Sequence, residues 1–383
     1  MREKAVARHP ICRYIKQIKR RAIMKKRLVS AVMAVVLSAA MLVGCGGSSG
    51  AQQAAGTAEE KTEETAEAEA PQNGGETVKI ICGYGAGGTA DLVARTYAKT
   101  ANTLQSDYNF VVENMTGGDG FAAATFFSEE DPGTKDLLVF GYGLCYRHDL
   151  GKQYQTEEVD FDRTAMTPVG TVDDRTWILY TTPDQTLASI LEKAKAEGIK
   201  MSGGNPLSDC HLELGSLIAL EGGKVMVVSG YDGGAEQKQG LVNGEVDVFV
   251  GTTQAAQDEV EAGTLIPILA FSDKPFEGFK TPAGDITVPT VAGDAKAPEL
   301  SASIDFSGCI LPAGGTLAVH TGCDEKFQKD MEDIMKKVWE SEDYYGWIDS
   351  VLLNNFQLYG QEAQAFIDSA CEKALAAYEN LKQ

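Results

Sequence analysis

Basic residues are scarce in this chain. Its 383 residues hold 34 Lys and Arg against 55 Asp and Glu, a formal charge of −21 at pH 7. Residues 1–44 take eleven of those basic residues and one acidic one, so the rest of the chain sets 23 basic against 54 acidic. Such a surface repels nucleic acid and anionic lipid, and no basic cluster interrupts it, so no nucleic-acid partner is expected. Histidine is rarer still. His9, His148, His211 and His320 are too far apart in sequence to form a motif with metal-ligand spacing. H-E-x-x-H does not occur and G-x-S-x-G occurs only as Gly46-Gly47-Ser48-Ser49-Gly50, in the Gly/Ser tract after Cys45 rather than on a strand-to-helix turn, so no catalytic residue, metal or cofactor is expected and the chain does not read as an enzyme. The cysteines never pair as C-x-x-C. Cys82, Cys145, Cys210, Cys309, Cys323 and Cys371 are scattered, which argues against a zinc ribbon or redox motif. They read as small core residues, with one disulfide open and unassigned.

Long apolar runs are also missing, with one exception. KKRLVSAVMAVVLSAAMLVGC (25–45) has a basic start, an apolar stretch and a small-residue end. That is a secretory leader by its length and its ending. Its closing LVGC resembles a bacterial lipobox, which implies cleavage before Cys45, lipidation of Cys45, and attachment to the cell membrane on its outer side. Residues 1–44 are then a signal peptide, with Met24 the expected true start. Residues 45–76 carry no aromatic side chain and are rich in Gly, Ser, Ala and Glu, so they read as a lipid-anchored flexible linker. As a random coil that linker reaches roughly 30 Å.

The roughly 300 residues beyond the linker exceed one comfortable core, so two lobes are expected. Apolar runs of strand length alternate with segments of helical spacing: TVKIICGY, 88–103, NFVVEN, 119–128, LLVFGY, then, after a long irregular stretch (143–174), TWILYTT. A second series follows through IKMSGG, KVMVVSG, VDVFVGTT and LIPILAFS, each preceded or followed by a helix. The tail has helices around 323–340, 342–350 and 361–381. Such alternation predicts an α/β fold with parallel-rich sheets and ligands at the carboxyl ends of strands.

One strand end stands out. IICGYGAGGTAD (80–91) places Gly83, Gly85 and Gly88 in a G-x-G-x-x-G spacing before a helix, the outline of a dinucleotide turn. The acid that would take a ribose, Glu113, lies about thirty residues past Gly83 rather than the usual ~20, and the leader places the chain outside the cytoplasm. A glycine turn ahead of a helix instead offers backbone N–H groups and the positive end of a dipole to any small anion. Gly85, Ala86, Gly87, Gly88 and Thr89 are the expected cradle, with Tyr84 flanking it. Asp91, in the first helical turn, either complements the dipole or meets a donor on the ligand. Tyr142 ends the third strand. Ser202, Gly203, Gly204 and Asn205 leave a strand of the second series and are expected to face the first loop. Ser208 is a plausible N-cap for the helix that carries His211, itself either a hydrogen-bonded structural residue or a ligand contact. Tyr231, Asp232 and Gly233 form a third strand-end loop, and Thr252 a fourth.

Taken in order, these loops resemble the substrate-binding receptors of tripartite tricarboxylate transporters, the Bug family, over essentially all of 77–383. Gly83 through Asp91 is similar to that family's P-F-x-x-G-G-x-x-D. VVENMTGGDG (111–120) is similar to V-E-N-r-x-G-A-G-G. Ser202-Gly203-Gly204 with Ser208-Asp209-Cys210-His211-Leu212 is similar to S-x-G…S-x-x-H-L. Gly230 through Asp247 follows P-Y-K-G…L-L-G-G-x-V-D, and GCILPAGGT (308–316) follows G-x-x-A-P-A-G-T. The resemblance implies a type II periplasmic-binding-protein fold with lobe 1 at 77–177 plus 275–383 and lobe 2 at 178–274. The chain would cross near Trp177–Thr182 and Ala270–Ser272, with a hinged cleft between the lobes. It implies capture of a small carboxylate-containing solute and delivery to transporter membrane subunits; a sensory role toward a receptor kinase, and more remotely an exported enzyme, share the same loops. The sequence departs from the family at Gly83 and Gly230, where prolines are usual, at Leu207, and at Asp232, where Lys or Arg is common. Asp91 and Asp232 together point to an amino-acid-like solute; a plain acid remains the alternative if Asp232 faces solvent.

Overall fold

The computed structural model describes residues 73–231 and 233–381; the leader, Cys45, the linker up to residue 72, and Asp232 lie outside the described residues. The chain opens with β1 (Glu76–Cys82), α1 (Thr89–Leu104), β2 (Tyr108–Asn114), α2 (Phe121–Glu129), β3 (Leu137–Gly141), α3 (Tyr142–Tyr154) and β4 (Met166–Arg175). A second series runs β5 (Ile178–Thr181), α4 (Leu187–Ala196), β6 (Ile199–Gly203), α5 (Asp209–Leu220), β7 (Val225–Ser229), α6 (Gly234–Val242), β8 (Phe249–Gly251), α7 (Thr253–Glu261) and β9 (Ile266–Ala270). A hairpin of β10 (Phe276–Thr281) and β11 (Gly284–Val288) follows, then β12 (Ala313–His320), α8 (Glu325–Glu340), α9 (Glu342–Ser350) and α10 (Gly360–Leu381).

Five strands form one sheet in the order β2-β1-β3-β12-β4. β1, β2 and β3 are mutually parallel, whereas β12 runs antiparallel to both β3 and β4. β3 and β12 are buried along their whole length, so they form the middle of a sheet covered on both faces. One face packs against α1, α8 and α9 through Tyr97, Met331, Trp339 and Tyr344. The other packs against α2, α3 and α10 through Phe127, Tyr146 and Ala374.

The second series builds its own sheet. β6 and β7 are parallel, a bridge from Met201 to Val248 joins β6 to the segment entering β8, and β5 lies antiparallel between β8 and β9. The apolar positions of VDVFV (246–250) are core here, as their alternation predicts.

Two expectations need correcting. The stretch 143–174 is not irregular: it holds α3 and β4. α3 contains two glycines and is buried through both Tyr146 and Arg147, so it shows no one-sided apolar stripe; β4 carries Pro168 and three charged residues that break the strand pattern. The second correction concerns where the chain changes sheets. The outgoing crossing lies at the start of the expected Trp177–Thr182, just before Ile178, but Ala270 is not the return, because it pairs with Ile178 inside the second sheet. Nor does the segment after 275 return at once. Val291, Ala292, Ala297, Leu300, Phe306 and Cys309 pack into the second sheet's core. Those apolar residues are isolated among Gly, Pro and Asp, so no periodicity announces which core they join. The crossings are Arg175 to Ile178 and Ile310 to Ala313, and they lie side by side, since Ala313 pairs with Arg175. Buried Glu213 of α5 fastens the return crossing by accepting the Leu311 N–H at 2.7 Å.

Candidate functional site

The carboxyl ends of β1, β3, β6, β7 and β8 feed five helices whose first turns converge on one cavity of about 340 Å³. Its wall includes Thr89 and Ala90 of α1, Gly143 and Leu144 of α3, Asp209 and Cys210 of α5, Gly234 and Ala235 of α6, and Gln254 and Ala255 of α7. First-turn N–H groups have no partner inside their own helix, and each helix adds a partial positive charge at that end. Five such ends around one space make it an anion-attracting chamber.

The glycine turn is held in shape from behind. Asp91 is buried; it accepts the Gly87 N–H at 2.9 Å and the Asn114 amide at 2.7 Å, and pairs with Arg95 Nε at 3.0 Å. Its carboxylate is therefore spent on the loop and does not reach the cavity, which corrects the expected contact with a ligand. Gly87 takes φ of +78°, a left-handed geometry that glycine adopts without strain. Gly83 is required for another reason, because a Cβ there would lie 2.8 Å from the Gly120 Cα. Tyr84 places its hydroxyl 3.4 Å from the Gly141 N–H, and burial holds the phenol well above its ordinary pKa.

Across the space, Thr252 caps α7, and its Oγ1 lies 2.8 Å from Thr89 Oγ1; Thr89 also donates to Gln254 Oε1 at 3.0 Å. These contacts join the glycine turn of the first sheet to a helix of the second.

Of the residues singled out in the sequence, Tyr84, Gly85, Gly87, Gly88, Thr89, Ser208, His211, Gly233 and Thr252 line the cavity. Ala86 and Asp91 do not, nor does Tyr142, which is buried against Phe366. Ser202, Gly203, Gly204 and Asn205 were expected to face the first loop but are drawn aside. Asn205 donates to Glu157 Oε2 at 3.0 Å, and a Cβ on Gly204 would meet Asp119 Cγ at 3.4 Å. Tyr231 turns away to donate to Glu245 at 2.8 Å. His211 belongs to the loop's internal bonding: its Nδ1 meets Ser208 Oγ and the Asn205 carbonyl, and Nε2 lies 3.3 Å from the Ser202 carbonyl. Burial lowers its pKa, so at pH 7 it is neutral.

The cavity also contains residues that sequence reasoning missed, among them Asp119, Arg175, Trp177, Asp209, Lys238 and Asp258. Arg175 stands at the first crossing and is clasped by Asp173, with Nη2 to Oδ1 at 3.0 Å. Burial opposes its charge, but the Asp173 carboxylate outweighs that and keeps the guanidinium firmly protonated. Lys238 pairs with Glu259 at 2.7 Å, and Asp119 lies 3.5 Å from Arg147. Asp209 is 8% exposed, and burial pushes its carboxyl up to about 6. It was visible all along inside Ser208-Asp209-Cys210-His211 as an acid in the first turn of a mostly apolar helix. Arg175 gave no such signal, because β4 itself was not recognised. Among the described residues no group of His, Cys, Asp and Glu is placed to hold a metal ion.

No family model matches the chain. A UPF0065 protein from Cupriavidus necator is 24% identical over 309 residues, covering 79% of this chain and 87% of that protein; UPF0065 is the Bug family. Among solved structures, Rpa4515 of R. palustris with adipate superposes with a TM-score of 0.65 at 17% identity, covering 80% of this chain and 97% of that one. MatC (Rpa3494) from Rhodopseudomonas palustris with bound malate gives 0.62 at 18% identity, covering 80% and 99%. BugD and a TctC solute-binding protein from Polaromonas are further neighbours. The fold is thus that of the Bug and TctC solute-binding proteins, as the five loop motifs imply.

Proposed function

We propose that this chain is an extracytoplasmic solute-binding protein of the Bug type, which captures a small carboxylate-bearing solute in the 340 Å³ cavity and carries it to a membrane transporter. The observation that carries this reading is the convergence of five helix N-termini on one chamber roofed by a glycine turn. The neighbours solved with adipate and malate support it. The two sheets then act as lobes, with the adjacent crossings at Arg175–Ile178 and Ile310–Ala313 as the hinge in place of the earlier pair. Lipidation of Cys45 anchors the protein; among the described residues no helix is long and apolar enough to cross a membrane. Catalysis forms no part of the proposal: the Ser208 hydroxyl beside His211 is bonded to the Asn205 carbonyl at 3.0 Å, and His211 Nδ1 meets that same carbonyl, so both side chains serve the loop's own bonding.

The test is mass spectrometry of small molecules released from the freshly purified chain, followed by a thermal-shift screen of mono-, di- and tricarboxylates and amino acids. Recovery of a carboxylate that raises the melting temperature supports the reading. A chain that carries none and responds to none of these solutes sinks it.

A further inference from the structure

The chamber is built for an anion, yet its lining carries three carboxylates, Asp119, Asp209 and Asp258, against two cations. Its two cations are already engaged, Arg175 by Asp173 and Lys238 by Glu259. Of its carboxylates, Asp119 has Arg147 nearby, but Asp209 and Asp258 form no ion pair among the described residues. Asp209 is the telling one. It is more than nine-tenths buried and lies on the cavity wall; its Oδ1 accepts the N–H of its own neighbour Cys210 at 3.0 Å, while no hydrogen bond of good geometry reaches Oδ2. Beside it, a Cβ on Gly143 would lie 3.1 Å from Oδ1, so the carboxylate packs closely against the first turn of α3. A buried carboxylate without a cation is costly unless something supplies the missing charge.

We propose that the solute supplies it: the ligand bears a protonated amine that pairs with Asp209, together with a carboxylate that docks on the first turns of α1, α6 and α7. The class is a small zwitterion, an amino acid or an ω-amino acid. This rests on the solute-binding reading above and sharpens it. A dicarboxylate of the same length would place a second negative charge against Asp209, where like charges repel in a poorly screened space. The groups that act on Asp209 are consistent with this role. Burial raises its pKa and Asp119 adds repulsion, while the Cys210 N–H, the Arg175 charge and the Trp177 side chain favour its ionised form without outweighing burial. Trp177 lines the cavity at the same place.

Calorimetry on the full-length chain with length-matched probes tests the idea: succinate against 4-aminobutanoate, adipate against 6-aminohexanoate, and L-alanine and L-aspartate as α-amino acids. The expected result is that at least one zwitterion binds ten times or more tightly than its matched dicarboxylate or any other dicarboxylate. Asp209→Asn should weaken that zwitterion tenfold or more and narrow the discrimination, while Asp107→Asn, far from the cavity, should change neither. Dicarboxylates binding as tightly as zwitterions, or Asp209→Asn keeping full zwitterion affinity, overturns the inference and leaves the solute-binding reading standing. Binding of neither class overturns both. If Asp209→Asn does not fold, the parent's preference within the matched pairs still decides.

Discussion

Single residues settle the shape of this site, and several do so through what they exclude. Gly203 is the sharpest case, because a Cβ there would lie 2.0 Å from His211 Nε2. The Nε2–Cε1 edge of the ring abuts the glycine, and the ring is held there by its bonds to the Ser202 and Asn205 carbonyls. Gly203→Ala is therefore expected to cost about 2 kcal/mol of stability, read as a lower midpoint in urea unfolding. Asp91 works in the opposite way, by supplying acceptors. Asp91→Ala leaves the Gly87 N–H, the Asn114 amide and Arg95 without their shared partner. Unpaired buried donors and an orphaned ion-pair partner predict a loss of about 3 kcal/mol, together with loss of any thermal response to solute. A variant that unfolds early yet binds normally would show that the turn does not form the cradle. Asp209 adds a pH signature. Its folded pKa of about 6 stands above the ordinary ~3.9, so the folded state holds the proton more tightly, and this contribution to stability is full below pH 4 and lost as pH rises through 6. Asp209→Asn mimics the protonated form at every pH. Its stability relative to the solute-free parent should increase between pH 4 and pH 7, by about 1.4 kcal/mol for each pH unit separating the ordinary and folded values.

At the scale of elements, the sequence speaks clearly where a pattern is local and poorly where it is not. β1, β2 and β3 follow from short apolar runs, α1 and α2 from the helical spacing after the first two, and α8 to α10 from amphipathic spacing. The glycine turn and the α7 cap at Thr252 could be placed on the cavity from sequence for the same reason. α3 could not be found, because a helix buried on more than one side has no stripe to display. β12 contains two glycines within a fully buried strand, and glycine lowers any strand signal. Nor could any local pattern show that residues 288–309 pack with the second sheet, since that is decided by contact with residues distant in sequence, such as Leu187, Ile190 and Leu214, rather than by adjacent ones. The misplaced site residues follow from these gaps. Ser202 to Asn205 were assigned to the opening opposite the glycine turn, but α3 and the loop after it lie there and take Asn205 through Glu157. Arg175, the cation nearest the hinge, was lost with β4. Asp232 lies outside the described residues, and Asp209 is an acid on the cavity wall.

For the whole molecule, binding and stability are one measurement. A solute at about 100 times its dissociation constant should add ~2.7 kcal/mol to the unfolding free energy, so a dose-dependent melting temperature is expected from the correct zwitterion. Cys45→Ser should abolish fatty-acid labelling of the chain, and undiminished labelling would remove the lipid anchor from the proposal. The contact between Thr89, Thr252 and Gln254 links the two sheets across the front of the chamber. Thr89→Val removes both of its bonds while keeping the shape, and at about 1 kcal/mol per bond each is worth roughly a fivefold change in dissociation. In the carrier role proposed above, that fastening would set a clock. A carrier must stay loaded longer than its search for a transporter lasts, and must let go once it arrives. Two hydroxyls and an amide form a weak enough latch to be parted by a docking partner. They are also costly enough to part spontaneously that a loaded carrier outlasts an unlatched one.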